Sequence, residues 1–237
     1  MEKPDLSEGS KYWQYRYSEG HTEWQLKDVY PMLIRNYDKL NPGGKADRVF
    51  YPMCGMSLDM NWFLEQGVTV VGVEVVLQAL KTFTSKSGHE WTESPISVLG
   101  PEAKLFARKD GKMKLYCGDM QKFIPQIEGR FDAIYDRGSV QFVEPANVSK
   151  YAQLMKDLLH PGGRLLLEVA EYDIKILEDE NFNPPMKVPP PFSMNSDDVK
   201  RLFEPDCSVE LVDQYKYARL FDKEAEFHVH LITKTPF

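Results

Sequence analysis

The chain has 237 residues, of which 42% are apolar and 12% aromatic, enough to bury the core of one larger domain and to argue against a disordered protein. A formal net charge of −7 and the lack of long lysine or arginine runs argue against nucleic-acid binding. The longest apolar run, residues 67–80, is broken by Glu74 and Gln78, so we expect no membrane span and no membrane partner.

The cysteines and the N-terminus indicate the cellular compartment. Cys54, Cys117 and Cys207 are widely separated and form no CxxC pair, so neither a metal site nor a disulfide framework is expected. The first ten residues are polar and acidic, unlike a signal peptide. We therefore predict a cytoplasmic protein, and nothing in the sequence demands more than a monomer.

The first predicted elements are helical. The aromatic string at 11–17 predicts one helix. A second is predicted from about residue 23, where Leu26, Val29 and Tyr37 have helical spacing and Pro31 bends or restarts the helix. An Asn-Pro-Gly-Gly loop ends this region at residue 44.

Strands and helices alternate in the remainder of the chain. Strands are predicted at 48–52, 68–74, 112–117, 131–136 and 164–169, and helices at 57–66, 77–87, 147–159 and 196–203. Two long antiparallel strands around a turn at Asp222 and Lys223 complete the pattern. Apolar strands that alternate with helices predict an α/β fold, with a mostly parallel sheet covered by helices on both faces.

Ligands of such sheets bind beyond the carboxyl ends of the strands, near the turn after the first strand. Glu74 ends the second strand, 19 residues beyond Gly55 in that turn, which is the spacing at which an acid binds ribose hydroxyls. The alternative is a helix-capping or solvated acid. Asp119 follows the third strand and can accept from an adenine amino group, cap the next helix, or do both.

The first turn, Pro-Met-Cys-Gly, also separates two kinds of cofactor. A dinucleotide pyrophosphate needs several glycines so that backbone N–H groups can approach it, and this turn has only Gly55. S-Adenosylmethionine has no phosphate, so the single glycine favours it. The helix, Pro-Gly-Gly turn and strand at 158–169 are also typical of methyltransferases that use this cofactor, although they fit a simple helix stop as well.

Four segments together resemble the thiopurine S-methyltransferase family. They are YWQYRYSEGHTEWQ from Tyr12, VFYPMCGMSLDMNWFLEQGVTVVGVE from Val49, YDRGSV from Tyr135 and PPPFSMNSDDVKRLF from Pro189. The resemblance implies a Rossmann-like class I methyltransferase fold, with a seven-stranded, mostly parallel sheet that has one antiparallel strand. It also implies that S-adenosyl-L-methionine donates a methyl group to a small-molecule thiol of the thiopurine, aromatic or heterocyclic type, which leaves S-adenosyl-L-homocysteine.

The resemblance also implies one domain over residues 1–237, with residues 1–40 as a helical cover over the cofactor and residues 171–203 as a Pro-rich loop and helix near the acceptor. Its predicted cofactor-binding residues are Trp13, Tyr17, Trp24, Met53, Gly55, Glu74, Asp119, Met120 and Arg137. Trp24, Arg137 and Arg219 would contact the acceptor, and Arg137 would be the catalytic residue.

Three positions depart from the family pattern, which commonly has Leu in place of Met53, Lys in place of Met56 and Trp in place of Tyr135. Met53 is a soft replacement of similar volume. The loss of a lysine at position 56 removes a charge beside the site and leaves the acceptor preference open.

Other interpretations remain open for several residues. The N-terminal aromatic residues are alternatively core anchors, and Arg137 is alternatively an ion-pair partner of Asp136. Cys54 is expected to be a small turn residue and not a nucleophile. His228 and His230 lie on one face of a strand and are expected to be solvated.

Other functions remain open as well. They are an O- or N-methyltransferase, a methyltransferase for selenium or tellurium species, a dinucleotide-dependent oxidoreductase, and a cofactor-binding protein without activity.

Overall fold

The computed structural model describes residues 9–175, 191–220 and 223–236, with side chains described for 9–175, 191–216 and 225–236. The chain divides into two compact units, Met1–Glu128 and Gly129–Phe237. That residues 1–237 form a single domain stays a prediction. Among the described residues, none of the helices has the length and apolar character needed to cross a bilayer.

The first unit combines helices with a mixed sheet. Its strands are β1 Arg48–Pro52, β2 Thr69–Glu74, β3 Trp91–Pro95, β4 Lys104–Arg108 and β5 Met113–Cys117. Its helices are α1 Ser10–Ser18, α2 Pro31–Leu40, α3 Asp59–Glu65, α4 Leu77–Lys86 and α5 Pro125–Glu128. The strand order is β3-β4-β5-β2-β1. β1, β2 and β5 are parallel, whereas β4 is antiparallel to both β5 and β3.

The parallel strands are apolar because both faces of the sheet are covered. Val49 and Phe50 of β1 and Val70 of β2 are fully buried. Phe50 stacks on Phe123 with ring centroids 5.0 Å apart, so the segment after β5 packs against the sheet face of β1. Because β1, β2 and β5 are parallel, their carboxyl ends lie side by side at the same end of the sheet.

The second helix begins later than the sequence suggests. Pro31 occupies its first turn, a position where a proline loses no helical hydrogen bond. Leu26 and Val29 therefore lie before the helix, and the prediction of a helix from about residue 23 is wrong for residues 23–30.

The second unit has its own strand order, β6-β7-β9-β8. Its elements are β6 Phe131–Arg137, α6 Val148–Leu158, β7 Leu159–Glu171, α7 Ser196–Phe203, β8 Cys207–Leu220 and β9 Lys223–Lys234. β6 and β7 are parallel, and β9 runs antiparallel to both β7 and β8. The described residues thus contain nine strands where seven were predicted, and more than one of them is antiparallel.

The expectation that His228 and His230 are solvated is wrong. Their exposed fractions are 8% and 0%, because β9 lies between β7 and β8 and the N-terminus of α7 packs over it. His230 Nε2 is 2.9 Å from the Ser196 hydroxyl oxygen. Burial lowers the pKa of His230 to about 4, so this imidazole is neutral at physiological pH.

Candidate functional site

The candidate site of the first unit is built on the turn that follows β1. Met53 and Gly55 both have left-handed backbones, with φ of 45° and 53°, so the chain reverses sharply before α3. The Gly55 backbone N–H donates to Glu74 Oε2 at 3.0 Å. The Val76 N–H donates to the other carboxylate oxygen at 2.9 Å. Glu74 therefore ties the turn after β1 to the turn that leads into α4.

Glu74 is nearly buried, with an exposed fraction of 7%. Burial raises the pKa of its carboxyl, and the backbone N–H groups of Val76 and Gly55 partly oppose that rise. A carboxylate has about four lone-pair positions, so these two N–H groups leave each oxygen able to accept again. Val76 is the residue before the first turn of α4, where no side-chain cap is found, so the Val76 contact fixes the entry into α4 and does not cap the helix. The binding of ribose by Glu74 stays a prediction.

The N-terminal aromatic residues pack over the same turn. Trp13 and Trp24 meet edge to face with ring centroids 5.4 Å apart, and Tyr17 and Trp24 do so at 5.7 Å. All three belong to one apolar cluster with Val76 and Ala79 at the start of α4. These aromatic residues are therefore core anchors of the first unit, and that they cover a cofactor stays a prediction.

Arg16 fixes the loop that carries Trp24. Its guanidinium carbon lies 4.9 Å from the centre of the Trp24 ring, a distance at which a cation is attracted to an aromatic face. The same side chain binds Glu23 at 2.8 Å and the carbonyl oxygen of His21 at 3.2 Å. Residues 21–24 are held in place by Arg16 although they form no helix.

Gln25 is a site residue that the sequence did not reveal. Its amide nitrogen donates to the Tyr17 hydroxyl at 3.1 Å. A Cβ built on Gly55 would lie 2.5 Å from that nitrogen and 2.7 Å from the Tyr17 oxygen. Both polar groups therefore pack against the glycine and leave no room for a side chain there. Burial raises the pKa of Tyr17, and the Glu74 carboxylate adds to the rise. The only available sequence signal is that Gln25 follows Trp24 in the N-terminal motif.

The turn after β5 brings Asp119 and Met120 next to β2. The Gly118 N–H donates to the backbone oxygen of Glu74 at 3.0 Å. Asp119 accepts from the Gln121 N–H at 2.9 Å and so caps the short 3-10 helix Met120–Lys122, which confirms its capping role. Met120 is buried, with an exposed fraction of 5%. That these two residues flank adenine stays a prediction.

Cys54, between the two left-handed residues of the turn, is buried. Burial raises the pKa of its thiol well above the ordinary value, and the Glu74 carboxylate adds to this effect. A nucleophilic cysteine needs the opposite shift, so Cys54 is a packing residue, as expected. Within the described part of the chain, no group of three or more potential ligands could hold a metal ion.

Arg137 ends β6 in the second unit, where it pairs in register with Glu168 of β7. Its neighbour Asp136 is fully buried. The Asp136 carboxylate accepts from the Ser139 N–H at 2.6 Å and from the Tyr151 hydroxyl at 2.8 Å. Burial raises the pKa of Asp136 to about 6. These contacts fix the backbone on both sides of Arg137.

Two other predictions fall outside the described residues. Arg219 lies within β8 by its backbone, but its side chain is outside the described part, and so are residues 176–190 of the Pro-rich segment. The proposed contacts of Arg219 and of residues 171–203 with an acceptor stay predictions.

Comparison with known proteins supports the interpretation of this geometry. The family model described as Thiopurine S-methyltransferase (TPMT) matches residues 9–234. A probable thiopurine S-methyltransferase of Danio rerio is 36% identical over 208 residues, which cover 88% of this chain and 83% of the relative. Thiopurine S-methyltransferase of Bos taurus is 32% identical over 202 residues, covering 85% of this chain and 78% of the relative.

Solved structures show the fold. A magnesium protoporphyrin IX methyltransferase from Synechocystis PCC 6803 with bound S-adenosylhomocysteine aligns with a TM-score of 0.66 at 10% identity, covering 98% of this chain and all of that one. A Burkholderia thailandensis 1,6-didemethyltoxoflavin-N1-methyltransferase aligns with a TM-score of 0.64 at 18% identity, covering 95% and 87%. The predicted Rossmann-like class I methyltransferase fold is confirmed, with more strands than expected.

Proposed function

Because the chain belongs to the thiopurine S-methyltransferase family, we propose that it transfers the methyl group of S-adenosylmethionine to the sulfur of a small aromatic or heterocyclic thiol. S-Adenosylmethionine is the cofactor of the family, and the chain is a methyltransferase that depends on it. The thiol acceptor is our proposal. The observation that carries it is the match to this family along residues 9–234, nearly the whole chain.

The residues of the first unit fit this cofactor. Glu74 retains acceptor positions for sugar hydroxyls, and it lies at the end of β2 beside the Gly55 turn. Trp13, Tyr17 and Trp24 supply an aromatic wall at the same turn. Such a wall excludes water and attracts a positive sulfur by cation–π interaction.

The sulfonium supplies a methyl group that is already activated for in-line displacement. The protein therefore has mainly to orient the two reactants and to keep water out, and orientation alone can lower a barrier by roughly 7–11 kcal/mol. An aromatic thiol is largely ionised near neutral pH and needs no strong general base. A thiol acceptor is thus consistent with a site in which raised pKa values keep the Cys54 thiol and the Tyr17 hydroxyl protonated.

Arg137 is proposed to stabilise the acceptor thiolate, on the strength of its Asp-Arg-Gly motif. Its guanidinium would offset the negative charge of the sulfur. We expect Arg137→Glu to lower kcat/KM strongly and Arg137→Lys, which keeps the charge, to lower it less. If Arg137→Glu has the same steady-state kcat and KM as the parent protein, Arg137 does not stabilise the thiolate.

The acceptor class is tested with methyl-labelled S-adenosylmethionine and matched thiol, selenol, phenol and amine acceptors. Labelled thioether from thiophenol-like acceptors at the highest kcat/KM supports the proposal. Faster turnover of a phenol or an amine would identify an O- or N-methyltransferase, and faster turnover of a selenol would identify a selenium methyltransferase. Calorimetric titration with NADH is the control for a dinucleotide site.

The cellular state is a further part of the proposal. The buried free thiols of Cys54, Cys117 and Cys207 are consistent with a reducing, cytoplasmic location. A monomer is expected, and light scattering of the purified protein across a concentration series tests it. A mass that rises with concentration would contradict it.

A further inference from the structure

Two side chains of the N-terminal cover bind one hydroxyl. The Gln25 amide nitrogen donates to the Tyr17 oxygen at 3.1 Å. The Trp24 side chain makes a hydrogen bond to the same hydroxyl. Because an indole nitrogen can only donate, Tyr17 is the acceptor in both contacts.

This arrangement decides where the proton of the Tyr17 hydroxyl points. A phenolic hydroxyl has one proton to donate in addition to its acceptor capacity. With two N–H groups directed at the oxygen, the O–H bond turns away from both Gln25 and Trp24. Tyr17 is nearly buried, with an exposed fraction of 7%, and burial raises its pKa. The hydroxyl therefore keeps its proton and remains a donor at neutral pH.

The position of this donor matters because the backbone donor beside it is already used. The Gly55 N–H donates to Glu74 Oε2 at 3.0 Å. The Tyr17 oxygen lies on the same glycine, 2.7 Å from where a Cβ would be. Ligands of this fold bind at this turn, so the hydroxyl proton of Tyr17 can serve as a donor there in place of the Gly55 N–H.

We infer that Gln25 is a positioning residue for cofactor binding: together with Trp24 it holds the Tyr17 hydroxyl as a hydrogen-bond donor for an acceptor oxygen of S-adenosylmethionine. The cofactor has such oxygens on its ribose and on its methionine carboxylate. The inference concerns the cofactor alone. It does not depend on whether the methyl acceptor is a thiol.

The chain provides a matched control for Gln25. Gln78, on α4, also donates to Tyr17, but to its backbone oxygen at 3.4 Å. Replacing either glutamine with methionine keeps the length of the side chain and removes its amide. Only the change at position 25 affects the hydroxyl.

The test is calorimetric titration with S-adenosylhomocysteine. We expect Gln25→Met to weaken binding about fivefold, the effect of losing one neutral hydrogen bond, and Gln78→Met to bind like the parent protein. Tyr17→Phe should weaken binding at least as much. Because Gln25 acts through the Tyr17 hydroxyl, the double variant should bind no more weakly than Tyr17→Phe alone.

Two outcomes overturn the inference: parent-like binding by Gln25→Met, or losses that multiply in the double variant. Thermal unfolding without ligand confirms that each variant is folded. Methylthioadenosine, which has the ribose but no carboxylate, shows which oxygen accepts. An equal loss with both ligands indicates the ribose, and a loss with S-adenosylhomocysteine alone indicates the carboxylate.

Discussion

Replacing Gly55 with alanine separates two reasons for a glycine in the turn after β1. The first is conformational, because φ is +53° at this position and a left-handed backbone costs an alanine about 1–2 kcal/mol. The second is steric, because the new Cβ would lie 2.5 Å from the Gln25 amide nitrogen and 2.7 Å from the Tyr17 oxygen. Moving these side chains apart to relieve the overlap breaks the hydrogen bond between Gln25 and Tyr17, which is worth about 1 kcal/mol. The expected loss of stability is therefore roughly 2–3 kcal/mol.

Gly67 is the matched control. It has a φ of +83°, and a Cβ built there meets nothing within 4 Å. Gly67→Ala should therefore show the conformational cost alone, about 1–2 kcal/mol. The difference between the two variants isolates the steric contact with the N-terminal cover.

Urea unfolding and calorimetric titration with S-adenosylhomocysteine provide the two readouts. Gly55→Ala should unfold at lower urea than Gly67→Ala, by about 1 kcal/mol in free energy, and should bind the ligand roughly tenfold more weakly because Tyr17 is displaced. Gly67→Ala should bind like the parent protein. If Gly55→Ala and Gly67→Ala have equal stabilities and equal dissociation constants, the side chains of Tyr17 and Gln25 do not pack against Gly55.

Three further predictions follow from buried ionisable groups. Glu74→Gln has one acceptor oxygen where the carboxylate has two, so we expect a loss of about 1–3 kcal/mol in urea unfolding and weaker S-adenosylhomocysteine binding by calorimetry; unchanged values in both would contradict this. Burial raises the pKa of Asp136 from 3.8 to about 6, so the folded protein holds that proton more tightly than the unfolded chain. The parent should thus gain stability relative to Asp136→Asn as the pH falls from above 6 to about 4, and a pH-independent difference would oppose it. The pH dependence of stability expected for His230 is opposite to that for Asp136, because burial lowers the pKa of His230 from 6.5 to about 4. The parent should lose stability relative to His230→Gln between pH 6.5 and 4, and parallel pH curves in urea unfolding would argue against it.

Elements with two independent local signals could be predicted from the sequence with their correct ends. β1 was expected at Arg48–Pro52 and has those bounds, because an apolar run there stops at a proline. α7 was expected at Ser196–Phe203, where Asn195 caps the helix by accepting from the N–H groups of Asp197 and Asp198. Such signals lie within or next to the element itself, so they predict its ends without knowledge of the tertiary contacts.

Elements that depend on distant partners were missed. β3 is polar and mostly exposed, with Pro95 at its end, so it lacks the apolar alternation that identifies a strand. It exists because it pairs with β4. Residues 23–30 have helical spacing, yet the Tyr30 N–H donates to Asp59, 29 residues away, and the chain enters α2 only at Pro31.

The candidate site shows the same limit at a single residue. The sequence identified Gly55 and Glu74 by their spacing, and the structure joins them by a hydrogen bond. The single glycine was attributed to the cofactor, which needs little room at the backbone. The structure gives a second cause, because Gln25 and Tyr17 approach Gly55 too closely for any Cβ. A bound ligand and a side chain 30 positions earlier in the chain would both exclude a Cβ at Gly55. The residue pattern of the turn therefore cannot show which of the two requires the glycine. Gln25 therefore belongs to the site through packing, and only its measured effect on cofactor affinity can separate the two causes.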